Sequence, residues 1–186
     1  MSAPSKKKRW DESGQAVMET ALSAFFIAVL AMGVIDYSRA IYYAEVIKNL
    51  TAEGSSMASR AGTASLLQIA QTVVSDAGTN LNMTSAGCVI VTAVLNNGAS
   101  HNNFVVTAQS APQGACSGIN SKIGCAPPPT SCGTATLPAE AQAALQANQS
   151  LYITEVYYTY HTVTPIGGLL NVTHVLPSQF YDAAYY

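Results

Sequence analysis

The chain has 186 residues, of which 49% are hydrophobic and only 10% are charged. Soluble domains carry roughly 25% charged residues, so part of this chain avoids bulk water. The length fits one domain of ordinary size with a core of its own. From residue 36 onward, seven acidic residues oppose four basic ones. This balance excludes a basic surface for nucleic acid.

A basic leader precedes a long apolar segment. The leader, residues 1–14, contains the cluster KKKR, and residues 15–35 read QAVMETALSAFFIAVLAMGVI with Glu19 as their one charge. A bilayer core needs about 20 mostly apolar residues in a helix, so residues 15–35 can span it. A buried core helix would not need to be apolar on every side. Because the cluster precedes the span, the positive-inside rule places the N-terminus in the cytoplasm and residues 36–186 outside, as an exported domain.

A secretory signal peptide is the alternative interpretation of this segment, because a basic region followed by an apolar region is typical of both. Two features argue against it. The carboxylate of Glu19 interrupts the start of the apolar region, and no small-residue cleavage site followed by a polar break occurs after Gly33. The sequence therefore favours a helix that stays attached to the exported domain.

The helix is predicted to continue beyond the membrane. Five residues recur at spacings that keep them on one helical face: Tyr42, Val46, Leu50, Met57 and Ala61. Lys48, Ser55 and Ser59 are predicted to lie mostly elsewhere on the helix. An unbroken helix from Gln15 to Arg60 would be roughly 70 Å long. Gly54 and Gly62 are the places where it could bend or stop.

Two shorter helices and a loop are predicted downstream. Residues 65–77 form an amphipathic stretch that ends at Gly78, and the Ala- and Gln-rich stretch 140–149 predicts a short helix. Residues 110–138 are rich in Gly, Ser, Cys and Pro, which indicates a loop.

Three segments have the composition of strands. Residues 88–95 and 104–108 predict a hairpin with a loop longer than two residues, and residues 152–164 give the strongest strand signal. One face of the last strand is tyrosine-rich and is predicted to pack on the helix. It contains Tyr152, Thr154, Val156, Tyr158 and Tyr160. The chain is therefore predicted to be α+β, with a long N-terminal helix, transmembrane in its first half, packed on a small antiparallel sheet of about three strands with a disulfide-bearing loop region.

All four cysteines lie downstream of the apolar segment and would share one compartment. An even number in a loop-rich stretch favours disulfides in an oxidising space. A metal site is disfavoured because no CxxC pair is present and the three histidines lack ligand spacing. Of the three possible pairings, Cys88 with Cys116 and Cys125 with Cys132 are favoured. The hairpin returns the chain beside Cys88, and the Pro-rich turn can close the shorter loop.

Glu19 is the most informative residue of the span. Placing a carboxylate near the start of a membrane helix costs free energy, so such a residue is rare unless it has a partner or a function. A cut after Gly14 would create an amino group on Gln15, one helical turn from Glu19. That amine, in the same or the next subunit, could pair with the carboxylate.

The basic leader, Gly14, Glu19 at the fifth position beyond it and the apolar helix look like a type IV prepilin signal. The longer string GQAVMETALSAFFIAVLAMGVIDYSRAIYYAEVIKNLTAEGSSMASR resembles the TadE-like family of tight-adherence (Flp) pilus systems. In that family an acid-aromatic-small-Arg string follows the apolar stretch, matched here by residues 36–39, and an Asn-to-Gly segment is matched by residues 49–54. The resemblance is good over residues 14–60 and looser in the C-terminal part.

The resemblance implies a pilin-like minor pilin or pseudopilin, cut between Gly14 and Gln15 by a prepilin peptidase. It would reside in the inner membrane or enter a pilus, with other pilin subunits, the assembly machinery and membrane lipid as partners. Its role would lie in pilus assembly and surface adhesion. The other hypothesis is an exported binding or adhesive domain held by an uncleaved signal-anchor helix.

An enzyme is the third class of function, and the sequence argues against it. It contains no GxSxG, HExxH, Walker loop or GxGxxG motif. Asp36 and Arg39, three residues apart, are interpreted as an ion pair at the membrane edge. We therefore expect no catalytic residues, no cofactor, no metal and no small-molecule substrate.

Overall fold

The computed structural model describes residues 8–78, 81–98, 103–125, 133–168 and 176–186, with side chains from residue 14 onward. The chain divides into two compact units. One unit is Met1–Ala40 with Thr162–Leu176, and the other is Ile41–His161 with Pro177–Tyr186. Each unit is described by itself.

Helix α1, Lys8–Ala61, contributes to both units. It contains no proline to interrupt it, and it runs through Gly54 without a break. It ends before Gly62, whose φ of 75° is a left-handed conformation that glycine adopts without steric cost. The predicted continuation of the helix beyond the apolar segment is confirmed, and its stop lies at Gly62 rather than Gly54.

The face of α1 that packs in the second unit differs from the predicted stripe. Ile47, Leu50 and Ala58 are buried in the core, whereas Tyr42 is exposed and Ser55 is completely buried. Ser55 can lie inside because its hydroxyl donates to the carbonyl of Thr51 at 2.7 Å. A polar side chain that is satisfied within its own helix turn need not face water. The placement of Ser55 away from the packed side was therefore wrong, whereas Leu50 of the predicted stripe is buried and Val46 and Met57 are partly buried against the core.

Two short helices follow α1. A 3-10 turn, Thr63–Ser65, leads into α2, Leu66–Asp76, and α3 is Met83–Ala86. Helix α2 turns a strongly amphipathic face to the core. That face consists of Leu66, Ile69, Ala70 and Val73. The prediction of a helix over residues 65–77 is confirmed.

Five strands of the described residues form one antiparallel sheet. They are β1 Gly87–Asn96, β2 Phe104–Gln109, β3 Gln113–Gly114, β4 Ser150–Thr159 and β5 Gln179–Tyr185. The order is β2-β1-β4-β5, and β3 also pairs with β1. Helix α4, Ala139–Ala144, precedes β4. The α+β class, the helix packed on an antiparallel sheet and the β1–β2 hairpin are confirmed, whereas the expected number of about three strands was too low.

Two strand assignments require correction. The predicted strand 152–164 is β4, but it begins at Ser150 and ends at Thr159. The N–H groups of Val163 and Thr164 do not continue a ladder because they donate to the carboxylate of Asp36. Strand β5 was not predicted as a strand, although it pairs with β4 along seven residues. Its sequence, QFYDAAY, has three aromatic residues but no β-branched one, and an aspartate and two alanines interrupt the strand signal.

The sheet is buried on both faces. On one face, Val89, Val91 and Val156 pack against α1 and α2. On the other, Ile90 and Ile153 lie beneath the loop region between β2 and β4. This arrangement explains why β1 is apolar at nearly every position instead of alternating.

Gly54 marks the closest approach of α1 to the sheet. A Cβ atom built there would lie 2.9 Å from both Cγ2 and Oγ1 of Thr154 and 3.0 Å from Cγ2 of Val73. Real Cβ atoms do not approach other atoms this closely, so only glycine fits without a shift. The absence of a side chain lets the helix backbone rest on β4.

Candidate functional site

The predicted processing residues lie on the first part of α1. Gly14, Gln15 and Glu19 are helical and exposed, and a Cβ atom at Gly14 would have nothing within 4 Å. Gln15 and Glu19 are four residues apart, which places them one turn apart on the same side of the helix. The helix begins at Lys8, so the bond after Gly14 lies inside the helix rather than at its start. A peptidase would have to unwind this turn, and glycine lowers that cost by about 1 kcal/mol relative to alanine.

The segment after Gly14 presents apolar side chains to its surroundings. Val17 is 69% exposed and Phe25 is 70% exposed, and no residue in the most apolar part of this helix is buried. By length and composition the helix can cross a membrane. Large apolar side chains that are exposed on all sides of a helix would be strongly disfavoured in water, at roughly 1.5 to 3 kcal/mol each. The helix therefore indicates membrane anchoring.

Asp36 follows the apolar segment directly, and its carboxylate fixes a loop. It is completely buried. Its Oδ1 accepts the N–H of Val163 at 3.0 Å and that of Thr164 at 3.3 Å, and its Oδ2 accepts the hydroxyl of Thr164. Three donors from two consecutive residues therefore surround one carboxylate, which orders residues 162–168 in the same unit.

The protonation of Asp36 follows from these contacts. Burial raises the pKa of its carboxyl group, but the hydrogen bonds from Thr164 and Val163 and the positive charge of Arg39 outweigh it and lower the pKa below its ordinary value of 3.8. Asp36 is therefore ionised at neutral pH. Arg39, which is half-buried, contributes its charge to this balance. The Asp36–Arg39 ion pair stays a prediction, and the loop contacts of Asp36 are the finding that the sequence did not indicate.

A turn shapes the loop that Asp36 holds. The N–H of Gly167 donates to the carbonyl of Thr164 at 3.0 Å. A Cβ atom built on Gly33 would lie 3.9 Å from Cδ1 of Ile166, which is ordinary van der Waals contact. Ile166 therefore lies beside the last turns of the apolar segment.

The loop region between β2 and β4 is fastened by a disulfide. Cys88 of β1 is bonded to Cys116, which confirms the favoured pairing. Strand β3 explains their proximity, because it pairs Gly114 with Cys88 two residues before Cys116. Cys125 is also disulfide-bonded. Its expected partner, Cys132, lies outside the described residues, so that second pairing stays a prediction.

A buried carboxylate lies under this loop region. Glu155 of β4 is completely buried. It accepts the N–H of Lys122 at 2.9 Å, the hydroxyl of Tyr157 at 3.0 Å and that of Tyr181 at 3.3 Å, together with the hydroxyl of Ser121. Burial and the charge of Glu155 raise the pKa of both tyrosines above the usual 10. Sequence analysis missed this cluster, although a glutamate in a strand that is otherwise apolar on both faces requires hydrogen-bond donors.

A surface cavity of about 560 Å³ lies next to this cluster. Its lining comes from the loop region and from β5 and includes Lys122, Leu137, Tyr181 and Tyr185. The ammonium group of Lys122 stands 3.6 Å from the centre of the Tyr181 ring. Among the described residues, no group of three His, Cys, Asp or Glu side chains could hold a metal ion.

A protein-family model matches most of helix α1. Residues 14–56 match the model of the TadE-like protein family. These residues form a TadE-like region. The match confirms the resemblance inferred from the sequence, and it covers the apolar segment, Asp36, Arg39 and Gly54. No curated protein and no solved structure matches the chain.

The TadE-like region indicates a protein associated with the Tad pilus, and this family is structural rather than enzymatic. The structure gives two of its residues a physical role. Asp36 fixes the loop 162–168 in the first unit, and Gly54 permits the close packing on β4 in the second. Gly14, Gln15 and Glu19 lie at the start of the matched residues, exposed at the head of the apolar segment.

Proposed function

We propose that this protein is a minor pilin or pseudopilin-like structural subunit of a tight-adherence pilus, without enzymatic activity. It would act in pilus assembly and surface adhesion together with other pilin subunits and the assembly machinery. One observation carries the proposal. The TadE-like region begins at Gly14, where a possible peptidase site and one carboxylate stand at the head of an exposed apolar helix.

The position of Glu19 supports processing. A carboxylate within a membrane helix costs free energy, although less near the end, where Glu19 lies, than at the centre, and a partner of opposite charge offsets this cost. Cleavage between Gly14 and Gln15 by a prepilin peptidase would supply one, the new amine of Gln15. In an assembled subunit this amine would pair with Glu19 of the same or a neighbouring helix.

We further propose that the protein spans the bacterial inner membrane once, with the leader 1–14 in the cytoplasm, residues 15–35 in lipid and residues 36–186 in the periplasm or outside the cell. The charge distribution supports this orientation. The bond between Cys88 and Cys116 supports it as well, since disulfides persist in an oxidising compartment.

N-terminal sequencing of the mature protein tests the processing. Cells with an active prepilin peptidase are expected to yield a chain that begins at Gln15, and cells without it a chain that retains the leader. Gly14→Leu is expected to keep the leader, because its side chain blocks the cleavage position. Glu19→Ala is expected to permit cleavage but to reduce the amount of protein recovered in pili.

Glu45→Ala is the matched control, since Glu45 is an exposed carboxylate on the same helix beyond the apolar segment. It is expected to be cleaved and assembled like the unmodified protein. A mature chain that retains residues 1–14 despite an active peptidase would reject the proposal.

A fusion of alkaline phosphatase after Tyr186 tests the orientation. This enzyme is active only after export, so activity is expected, and deletion of residues 15–35 is expected to abolish it. Activity of the deletion variant equal to that of the full chain would contradict the role of these residues as the membrane span.

The second candidate function is an exported binding or adhesive domain on an uncleaved anchor. The cavity beside Lys122 and Tyr181 favours it, because aromatic and cationic side chains at one concave surface can contact polar ligands. Retention of the leader would favour this candidate. Loss of surface adhesion in a Tyr181→Ala variant that still forms pili would indicate that the subunit both assembles and binds.

A further inference from the structure

The loop 162–168 lies beside the outer end of the proposed membrane span. Ile166 packs at van der Waals distance from the Cβ position of Gly33. Gly33 is two residues before Ile35, the last residue of the apolar segment, which corresponds to about 3 Å along the helix axis. The 21 residues from 15 to 35 span about 31 Å, close to the 30 Å of a bilayer core, so they leave little length to spare. If this segment crosses the membrane, Ile166 is at the depth of the outer boundary.

The side chains of this loop suit such a position. Residues 162–168 read TVTPIGG and contain no charged residue. Val163 is 60% exposed, although it is apolar. A single exposed valine on a protein surface needs no explanation by itself. Here, however, the valine lies next to the end of a helix that is proposed to be surrounded by lipid.

Part of the backbone of the loop is hydrogen-bonded within the protein. The N–H groups of Val163 and Thr164 donate to Asp36, the N–H of Gly167 donates to the carbonyl of Thr164, and Pro165 has no N–H. Irregular backbone is tolerated near lipid only where its polar groups have partners within the protein. The carboxylate of Asp36 thus removes three donors that would otherwise require water.

We propose that residues 163–168 rest in the boundary between headgroups and acyl chains of the outer leaflet, as a second membrane contact beside the helix. Lipid is the occupant of the exposed face of Val163. This inference rests on the membrane anchoring proposed above, and the test separates the two.

Tryptophan quenching by lipid measures the depth of the loop. The full chain contains one tryptophan, Trp10, and Trp10→Phe supplies a background without that signal. Three reporters are added to it singly: Val163→Trp in the loop, Phe26→Trp in the span and Leu67→Trp on α2. All three positions are exposed, so the larger ring does not disturb a core. Each variant is reconstituted in bilayers of phosphatidylethanolamine and phosphatidylglycerol, with and without brominated acyl chains.

The Val163→Trp variant is expected to show a blue-shifted emission and a loss of intensity with brominated lipid, as Phe26→Trp does, whereas Leu67→Trp shows neither. Quenching of Phe26→Trp alone would overturn the loop contact and leave the anchoring intact. If Phe26→Trp is not quenched either, the proposed span fails and the loop inference fails with it.

Discussion

Gly54→Ala tests the close approach of α1 to β4. On an exposed helix this substitution would stabilise the helix by about 1 kcal/mol, because alanine has the higher helix propensity. Here the new methyl group would lie 2.9 Å from the Thr154 side chain and 3.0 Å from Val73. Overpacking of a core by a methyl group costs about 1 to 3 kcal/mol. We therefore expect a net loss of stability of up to about 2 kcal/mol, which lowers the melting temperature by up to about 8 °C.

Thr154→Ala provides the rescue. Its Oγ1 is buried and has no hydrogen-bond partner among the residues that the structure describes, so its loss removes little besides the clash. Gly54→Ala is expected to be markedly less destabilising in the Thr154→Ala background than in the unmodified chain. Thermal unfolding of the four full-length variants in detergent, followed by circular dichroism, gives the double-mutant cycle. The same cost in both backgrounds, or stabilisation by Gly54→Ala alone, would refute the packing argument.

Three further outcomes are expected. Cys88→Ser is expected to lower the free energy of unfolding by about 2 to 4 kcal/mol, because it opens the disulfide to the loop region; an unchanged denaturant midpoint would contradict this. In the folded protein Tyr157 is expected to stay protonated as the pH passes 10, because burial and Glu155 raise its pKa, so stability should fall above pH 10. The chain has ten tyrosines, so the measurement is the difference in tyrosinate absorbance between the unmodified protein and Tyr157→Phe, and a difference that appears near pH 10 would contradict the expectation. Asp36 has a lowered pKa, so the stability that its ionised carboxylate contributes is present above pH 3.8 and is lost as the pH falls through the pKa of the folded state. The amide of Thr164 is expected to stay protected from hydrogen exchange above pH 3.8. Asp36→Asn is expected to remove the pH dependence of this protection.

The parts of the fold that could be predicted from the sequence are those set by local pattern. The apolar run predicts a helix that can span a membrane, and the period of residues 65–77 predicts α2. The β-branched runs predict β1 and β2 as a hairpin, and that hairpin predicts the pairing of Cys88 with Cys116. The helices and the hairpin depend on residues close together in the chain, and the disulfide, which joins residues 28 positions apart, was inferred from the hairpin.

The errors have a common physical cause. Ser55 was placed away from the apolar stripe by helical spacing, but a hydrogen bond to its own helix turn allows it to be buried. Strand β5 has no β-branched residue and pairs with β4, whose partner residues lie 20 or more positions earlier in the chain. Glu155 was predicted as an ordinary strand residue, although it accepts hydrogen bonds from four donors, three of which lie in other segments of the chain.

The sequence by itself determined the TadE-like region, the apolar helix with its exposed head and the α+β class, because composition and helical period are properties of neighbouring residues. Only the tertiary structure decided what Asp36 and Gly54 do. Asp36 meets its hydrogen-bond donors 127 and 128 residues further along the chain. Gly54 meets Thr154 across the contact between helix and sheet. The partners of a carboxylate or a glycine cannot be read from the sequence, because hydrogen bonds and close packing depend on positions in space that the whole fold establishes.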